Sequence, residues 1–398
     1  MREEKQMSDA LDEKQMREEK QMNDALDEKQ MREEKQMSDA FEVPTVDITA
    51  FVADRTDSAG GAAESARAEV VDRVRAACET VGFIQVVGHA IPDATIAGLT
   101  AAMDWFFGLS PEEKCRHVPD RSDTVGYSPP KQWSLIRSMG VQPANQMNDF
   151  FEGFNLARPA EDYPGLGLSA EDYQHTRWPA EASFRTQVRA YFDEASRVAR
   201  TMMTIFVAAL GDAGDGLGSL FDHPLENMRL NNYALPEGEI DVDGDLTGMG
   251  EHTDFGLVTV LWADQVPGLQ VLGGDGRWYD VQPRDGALLI NLGDLLARLT
   301  NDRWSSTLHR VKPPIVDGRV RRRRSAALFF EANADATIGT LEQFVDPVTA
   351  PARYGAPIAV GEHIRAKFRG SAYGTAVPTA GTEVARVAAA TSAPGSSA

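Results

Sequence analysis

The 398-residue sequence predicts a mainly β fold with flanking helices, organised around a jelly-roll, cupin-like core. Two styles of patterning predict it. Residues 62–80 and 184–210 carry apolar side chains at three- and four-residue spacing, and residues 93–107 do the same behind Pro92, so the first half reads as mostly helical. From about residue 228 to 332 the pattern changes to short alternating or β-branched runs, at 257–262, 268–272, 278–281, 287–291, 308–312 and 321–330. Gly, Asp and Pro separate these runs, the punctuation of many short strands that close into a sandwich or barrel.

The ends read differently from the middle. MREEKQMSDALDEKQ opens the chain, repeats from residue 16 with Asn23 in place of Ser8, and begins a third time at residue 31. These forty residues hold eight basic and thirteen acidic side chains, and their few apolar positions (Met1, Met7, Leu11, Met16) build no wide stripe. They are expected to be a charged extension, helical or disordered, with a coiled-coil self-association arm as the sharper alternative. Residues 375–398, rich in Ala, Thr, Ser, Pro and Gly, read as a disordered tail. Between them, residues 41–160 are expected to form an N-terminal domain and residues 161–374 the jelly-roll core with its long helix.

Composition excludes several classes of function. A net charge of −20 argues against a nucleic-acid surface, which needs a basic face. No apolar run approaches the roughly 18–20 residues of a membrane span, and no apolar segment follows a basic start as in a secretory leader, so the expected location is cytoplasmic. Two cysteines, Cys78 and Cys115, make no disulfide framework and read as small buried hydrophobes.

The chemistry gathers in the second half. His252 and Asp254 stand two residues apart beside a strand-like run, a spacing that sends both side chains from one face of an extended chain. His309 begins another extended segment and can complete a three-ligand set. Two imidazoles and one carboxylate leave coordination positions open, which suits iron(II), whereas a closed structural zinc site wants four protein ligands. An isolated His-x-Asp is weak evidence, more often a turn than a metal site. Arg323 and Ser325 form a second pair on one strand face and suit a carboxylate, with Arg322 and Arg324 on the opposite face. Tyr233, with Asn231 beside it, can add a phenol to the same anion. His89, His117, His175, His223 and His363 have no carboxylate at a ligand spacing and receive no role. Residues 126–153, with Tyr127, Trp133, Arg137, Phe150 and Phe151, and the helix-like 362–369 are candidate walls over a substrate pocket.

Taken in order, these segments resemble the isopenicillin N synthase-like group of 2-oxoglutarate and iron(II) dependent oxygenases. VPTVDI from Val43, ACETVGFIQVVGHAIP from Ala77 and FFGLSPEEK from Phe106 resemble the group's N-terminal part, with Gly88 and Ala90 in place of its usual Asn and Gly. MRLNNY from Met228, HTD from His252, GLQV from Gly268, NLGD from Asn291, HRV from His309 and RRS from Arg323 resemble its catalytic part; Ala234 departs from a common Pro. The resemblance implies a double-stranded β-helix core, with His252, Asp254 and His309 as catalytic iron ligands. It implies Arg323 and Ser325 on the distal carboxylate of the co-substrate 2-oxoglutarate, supported by Tyr233 and Asn231. The implied reaction consumes dioxygen, releases succinate and carbon dioxide, and hydroxylates, desaturates or cyclises a small molecule, in secondary metabolism such as antibiotic biosynthesis. The alternatives are an iron(II) oxidase of the same fold that acts without 2-oxoglutarate and a catalytically silent scaffold.

Overall fold

The computed structural model describes residues 42–52, 61–120, 123–130, 151–214, 216–234, 248–316 and 319–373. The N-terminal repeat, the tail at 375–398, and Trp133, Arg137 and Phe150 of the expected pocket wall lie outside the described residues. The elements below belong to the unit Val43–Ala398.

Three helices stand where the spacing places them: α2 (Gly61–Thr80), α3 (Asp93–Phe107) and α5 (Ala182–Leu210), with the single-turn helix α1 (Thr49–Val52) before them and α4 (Pro111–Cys115) between α3 and α5. Helix α4 opens on a capping box, in which Ser110 Oγ accepts from the Glu113 amide at 3.2 Å and the Glu113 carboxylate accepts from the Ser110 amide at 3.0 Å. The first half is less helical than its periodicity suggests. It also supplies four strands, β1 (Thr45–Asp47), β2 (Phe83–Val87), β3 (Gly126–Ser128) and β4 (Glu152–Ala157). Strand β4 is buried on both faces, and β2 nearly so, so neither shows the alternation by which a half-exposed strand is recognised.

The remaining strands are β5 (Glu226–Tyr233), β6 (Met249–His252), β7 (Val258–Ala263), β8 (Leu269–Leu272), β9 (Trp278–Asp280), β10 (Leu288–Leu292), β11 (His309–Val311), the hairpin β12 (Ile315–Val316) and β13 (Arg319–Val320), β14 (Arg323–Phe330), and the short pair β15 (Thr337–Ile338) and β16 (Ile358–Ala359). Helix α6 (Asp294–Leu299) follows β10, and α7 (Val360–Tyr373) follows β16. Eight strands form the major sheet in the order β1-β2-β10-β7-β14-β5-β4-β3, and four form the minor sheet in the order β6-β11-β8-β9. Together they make the jelly-roll, with helices packed outside.

The major sheet has two different faces because side chains alternate along each strand. The row Ile84, Ile290, Val260, Leu328, Met228 and Leu156 runs across six paired strands and joins one core cluster with Val188, Phe192 and Met202 of α5. One residue along, the row Phe83, Asn291, Thr259 and Phe329 points the other way, into a pocket that the minor sheet closes through Met249, His309 and Val311.

The two cysteines differ. Cys78 is buried in α2, and burial pushes its thiol pKa well up, whereas Cys115 is exposed at the end of α4. Helix α4 buries Lys114 instead, which meets Glu152 at 2.8 Å. An ion pair to β4, which hydropathy does not register, fixes how this turn sits.

Phe154 links β4 to the helices: its ring lies 4.9 Å from Phe106 of α3 and 5.3 Å from Phe184 of α5, both edge-on. Phe154→Ala is expected to destabilise the protein by about 3–5 kcal/mol, measured by urea unfolding. A loss under about 1 kcal/mol would mean that this cluster does not tie helices to sheet.

Candidate functional site

Strand pairing brings the two histidines together. His252 ends β6 and His309 begins β11, and the antiparallel register sets them opposite each other, with ring centroids 4.2 Å apart. Each ring is oriented from behind: His252 Nδ1 donates to the Gly250 carbonyl at 2.8 Å and His309 Nδ1 to the Thr307 carbonyl at 3.0 Å. Both Nε2 atoms are thereby left as acceptors facing the pocket. Burial, and then the neighbouring His309 charge, pushes the His252 pKa down to about 3, so this ring is neutral and ready to ligate.

Asp254 completes the group from the loop after β6. Its Oδ1 lies 3.8 Å from His252 Nε2 and 3.7 Å from His309 Nε2, and the three ligand atoms all fall within 4.8 Å of one another. Its Oδ2 is held by the protein, accepting from Thr259 Oγ1 at 2.5 Å and Asn291 Nδ2 at 2.6 Å. Thr259 and Asn291 are register partners on β7 and β10, so the major sheet aims the carboxylate. The loop is clamped further. Asp294 donates its amide to the Asp254 carbonyl at 2.8 Å, while its carboxylate accepts from Ser306 at 2.8 Å and Thr253 at 3.2 Å and lies 3.5 Å from the buried ammonium of Lys367 on α7.

A second constellation lies along the same pocket. Arg323 and Ser325 on β14 are register partners of Tyr233 and Asn231 on β5, so the two sequence pairs meet across one ladder. Arg323 is 2% exposed; its Nε reaches the Val266 carbonyl at 3.2 Å, its guanidinium lies 5.2 Å from the Tyr233 ring centre, and its Nη1 is buried with no partner. Asn231 Nδ2 donates to Ser325 Oγ at 3.3 Å, which leaves that hydroxyl its own proton to give. Arg322 and Arg324 take the other face and bind Asp104 at 2.6 Å and 2.9 Å, as strand alternation predicts. Of the expected pocket walls, Phe151 lies 5.7 Å from the Tyr233 ring, and α7 contributes Phe368 to the lining.

A buried cation with an open N–H suits a carboxylate, and two imidazoles beside one aimed carboxylate oxygen suit a divalent ion. Sequence reasoning assigned no role to Thr259, Asn291, Asp294, Arg229 or Glu331. Arg229, on the pocket face of β5, donates to Asn155 at 2.7 Å. Glu331, one residue beyond β14, is 3% exposed and its Oε2 has no hydrogen-bond partner. Burial, then the negative charges of Asp254 and Asp294, pushes its pKa up to about 8.

Comparison with known proteins gives a consistent result. Residues 225–332 match the family model of the 2OG-Fe(II) oxygenase superfamily, and residues 43–181 match that of the non-haem dioxygenase in morphine synthesis N-terminal region. The 2-oxoglutarate-Fe(II) type oxidoreductase hxnY of Emericella nidulans is 32% identical over 341 residues, covering 84% of this chain and 91% of that protein. Validamycin A dioxygenase of Streptomyces hygroscopicus subsp. limoneus is 30% identical over 333 residues, covering 82% and 85%. The crystal structure of a full-length Neurospora crassa protein in complex with alpha-KG and thymine superposes with a TM-score of 0.66 at 25% identity, covering 81% of this chain and 95% of that one.

Two outcomes follow from this geometry. Asn291→Ala frees Asp254 Oδ2 and is expected to weaken Fe(II) binding roughly 10–100-fold, measured by anaerobic titration; unchanged affinity would mean the hydrogen bond does not aim the ligand. In metal-free protein, Glu331 keeps its proton to about pH 8, whereas its ordinary value is 4.5. Between those values the folded state holds the extra proton, so this group's contribution to stability is present at low pH and lost as pH rises. Glu331→Gln lacks that loss, and its unfolding free energy relative to wild type should climb across the window, by at most about 1.4 kcal/mol per pH unit. A flat difference contradicts the buried, unpartnered setting.

Proposed function

The chain belongs to the 2OG-Fe(II) oxygenase superfamily as an oxidoreductase that depends on Fe(II) and 2-oxoglutarate, and from that membership we propose which residues do the work. His252, Asp254 and His309 hold Fe(II). Arg323 and Ser325 bind the distal carboxylate of 2-oxoglutarate, with Asn231 orienting the Ser325 hydroxyl and Tyr233 packing beneath the guanidinium. The observation that carries this reading is the unpartnered Nη1 of Arg323, buried in the pocket that also contains the three-ligand group. When bound, Fe(II) couples the oxidative decarboxylation of 2-oxoglutarate by dioxygen, which gives succinate and carbon dioxide, to oxidation of a substrate C–H bond. The chain's own share is geometric. It aims one carboxylate oxygen, orients two imidazoles from behind through backbone carbonyls, and lines the site with Phe83, Leu261, Leu269 and Val311, which exclude water.

The substrate is read as a small organic molecule of secondary metabolism, antibiotic biosynthesis included. The dioxygenase acting on validamycin A and the thymine-bound neighbour support a compact, ring-containing substrate. A nucleic-acid partner is disfavoured by the net charge of −20, and among the described residues no helix is long and apolar enough to cross a membrane. Two free cysteines support a cytoplasmic location. The 2-oxoglutarate-independent oxidase is the less favoured reading, because the matching family model and the similar proteins are named for 2-oxoglutarate.

Succinate formation from isotopically labelled 2-oxoglutarate tests the activity, and its absence in the iron-loaded protein under air would sink it. Arg323→Ala is expected to weaken 2-oxoglutarate binding about thirtyfold or more while leaving Fe(II) affinity within about threefold. Arg323→Lys should recover little of this, since an ammonium cannot reproduce the planar fork. Equal loss of iron binding would show that Arg323 supports the fold of the site instead.

A further inference from the structure

Glu331 is an acid in the pocket that neither the metal set nor the co-substrate clamp uses. The inward face of β14 reads Arg323, Ser325, Ala327, Phe329 and then Glu331, so the co-substrate clamp and this acid stand at opposite ends of one row. Its neighbours are aromatic: Phe329 precedes it on the same face, and Phe255 and Phe368 meet edge-on at 5.8 Å along the same pocket. The chain makes room for the acid at Gly256, where an added Cβ would come within 1.3 Å of Glu331 Oε2. Yet among the described residues no protein group answers that oxygen. An unpartnered buried carboxyl is destabilising, and buried polar groups in folded proteins are otherwise satisfied almost without exception. A pocket that retains one, beside a glycine that accommodates it, has the form of a recognition site for something that enters.

We propose, resting on the oxygenase reading above, that Glu331 is a specificity-determining residue that accepts a hydrogen bond from an N–H or O–H on the edge of a ring substrate, with the ring seated against Phe329 and Phe368. Arg229, which also lines this pocket, is already engaged with Asn155. A ring is favoured over a flexible chain because flat aromatic walls reward a flat ligand, and one polar anchor fixes its rotation. A substrate bearing a carboxylate at this end is disfavoured by the Asp254 and Asp294 carboxylates beside Glu331.

Matched probes on the full chain loaded with Fe(II) and 2-oxoglutarate without oxygen provide the test: 2-pyridone against N-methyl-2-pyridone, and 7-hydroxycoumarin against 7-methoxycoumarin. Binding is read by calorimetry and by the change in the absorbance band of the loaded protein. The N–H or O–H member of at least one pair is expected to bind roughly tenfold tighter than its methylated partner. Glu331→Ala should abolish that preference, and Glu331→Gln, which keeps an acceptor oxygen, should retain part of it. Both variants should bind Fe(II) and 2-oxoglutarate as wild type does and melt no lower, since each removes an unsatisfied buried acid; a structural Glu331 would give lower melting temperatures. The proposal is overturned by no donor preference in wild type, by a preference that survives in Glu331→Ala, or by variants that melt lower. Failure of wild type to form the Fe(II) and 2-oxoglutarate complex would instead strike at the oxygenase reading, so the two failures are distinct.

Discussion

The site depends on a carboxylate that is half committed. Asp254 gives one oxygen to Thr259 and Asn291 and offers the other to the space between two imidazoles. A carboxylate with both oxygens free would rotate, and one with both engaged could not ligate. Because Thr259 and Asn291 are register partners on adjacent strands, the aim of the ligand is set by sheet pairing and not by the loop that carries it. The same logic places His252 against His309 and the pair Arg323 and Ser325 against Tyr233 and Asn231. A one-residue slip of β14 would send its pocket residues to the helix face and Leu328 into the site, so fold and function share one register.

The pocket retains polar atoms that the fold leaves unsatisfied. Arg323 Nη1, Asn231 Oδ1 and Glu331 Oε2 are all buried without a partner. Elsewhere other buried charges are answered: Glu226 is held by Arg158 and Arg200, each at 2.7 Å, and Lys114 by Glu152 at 2.8 Å, although the neutral Tyr191 hydroxyl also lacks a partner. Unanswered groups clustered in one pocket cost stability and are retained where a ligand discharges the cost.

Much of this was legible in the sequence. Period-2 alternation separated Arg323 and Ser325 from Arg322 and Arg324, and the structure places Asp104 against the latter two. Helices α2, α3 and α5 also lie where the spacing put them. The strands β2 and β4 were not legible, since strands buried on nearly every residue carry no alternation. Cys115 was misread because a small thiol says nothing about exposure when a neighbouring lysine is the buried residue of its helix. Thr259, Asn291 and Glu331 could not be found from spacing, for their roles come from which strands become neighbours.

The position of Glu331 follows from the same strand geometry that sets Arg323 and Ser325 along the pocket. A strand that alternates strictly and lines a pocket along its length must present something at its far end once Arg323 and Ser325 occupy the near one. Apolar residues there would have been the stable choice, and Phe329 is one. An acid in the next inward position adds a directional requirement to an otherwise apolar wall, and Gly256 opposite shows the backbone shaped around it. Rigid positions on the sheet therefore carry the polar anchor of recognition, while α7, whose Lys367 meets Asp294 and whose Phe368 faces the pocket, couples the aromatic wall to the loop that holds the metal-facing carboxylate.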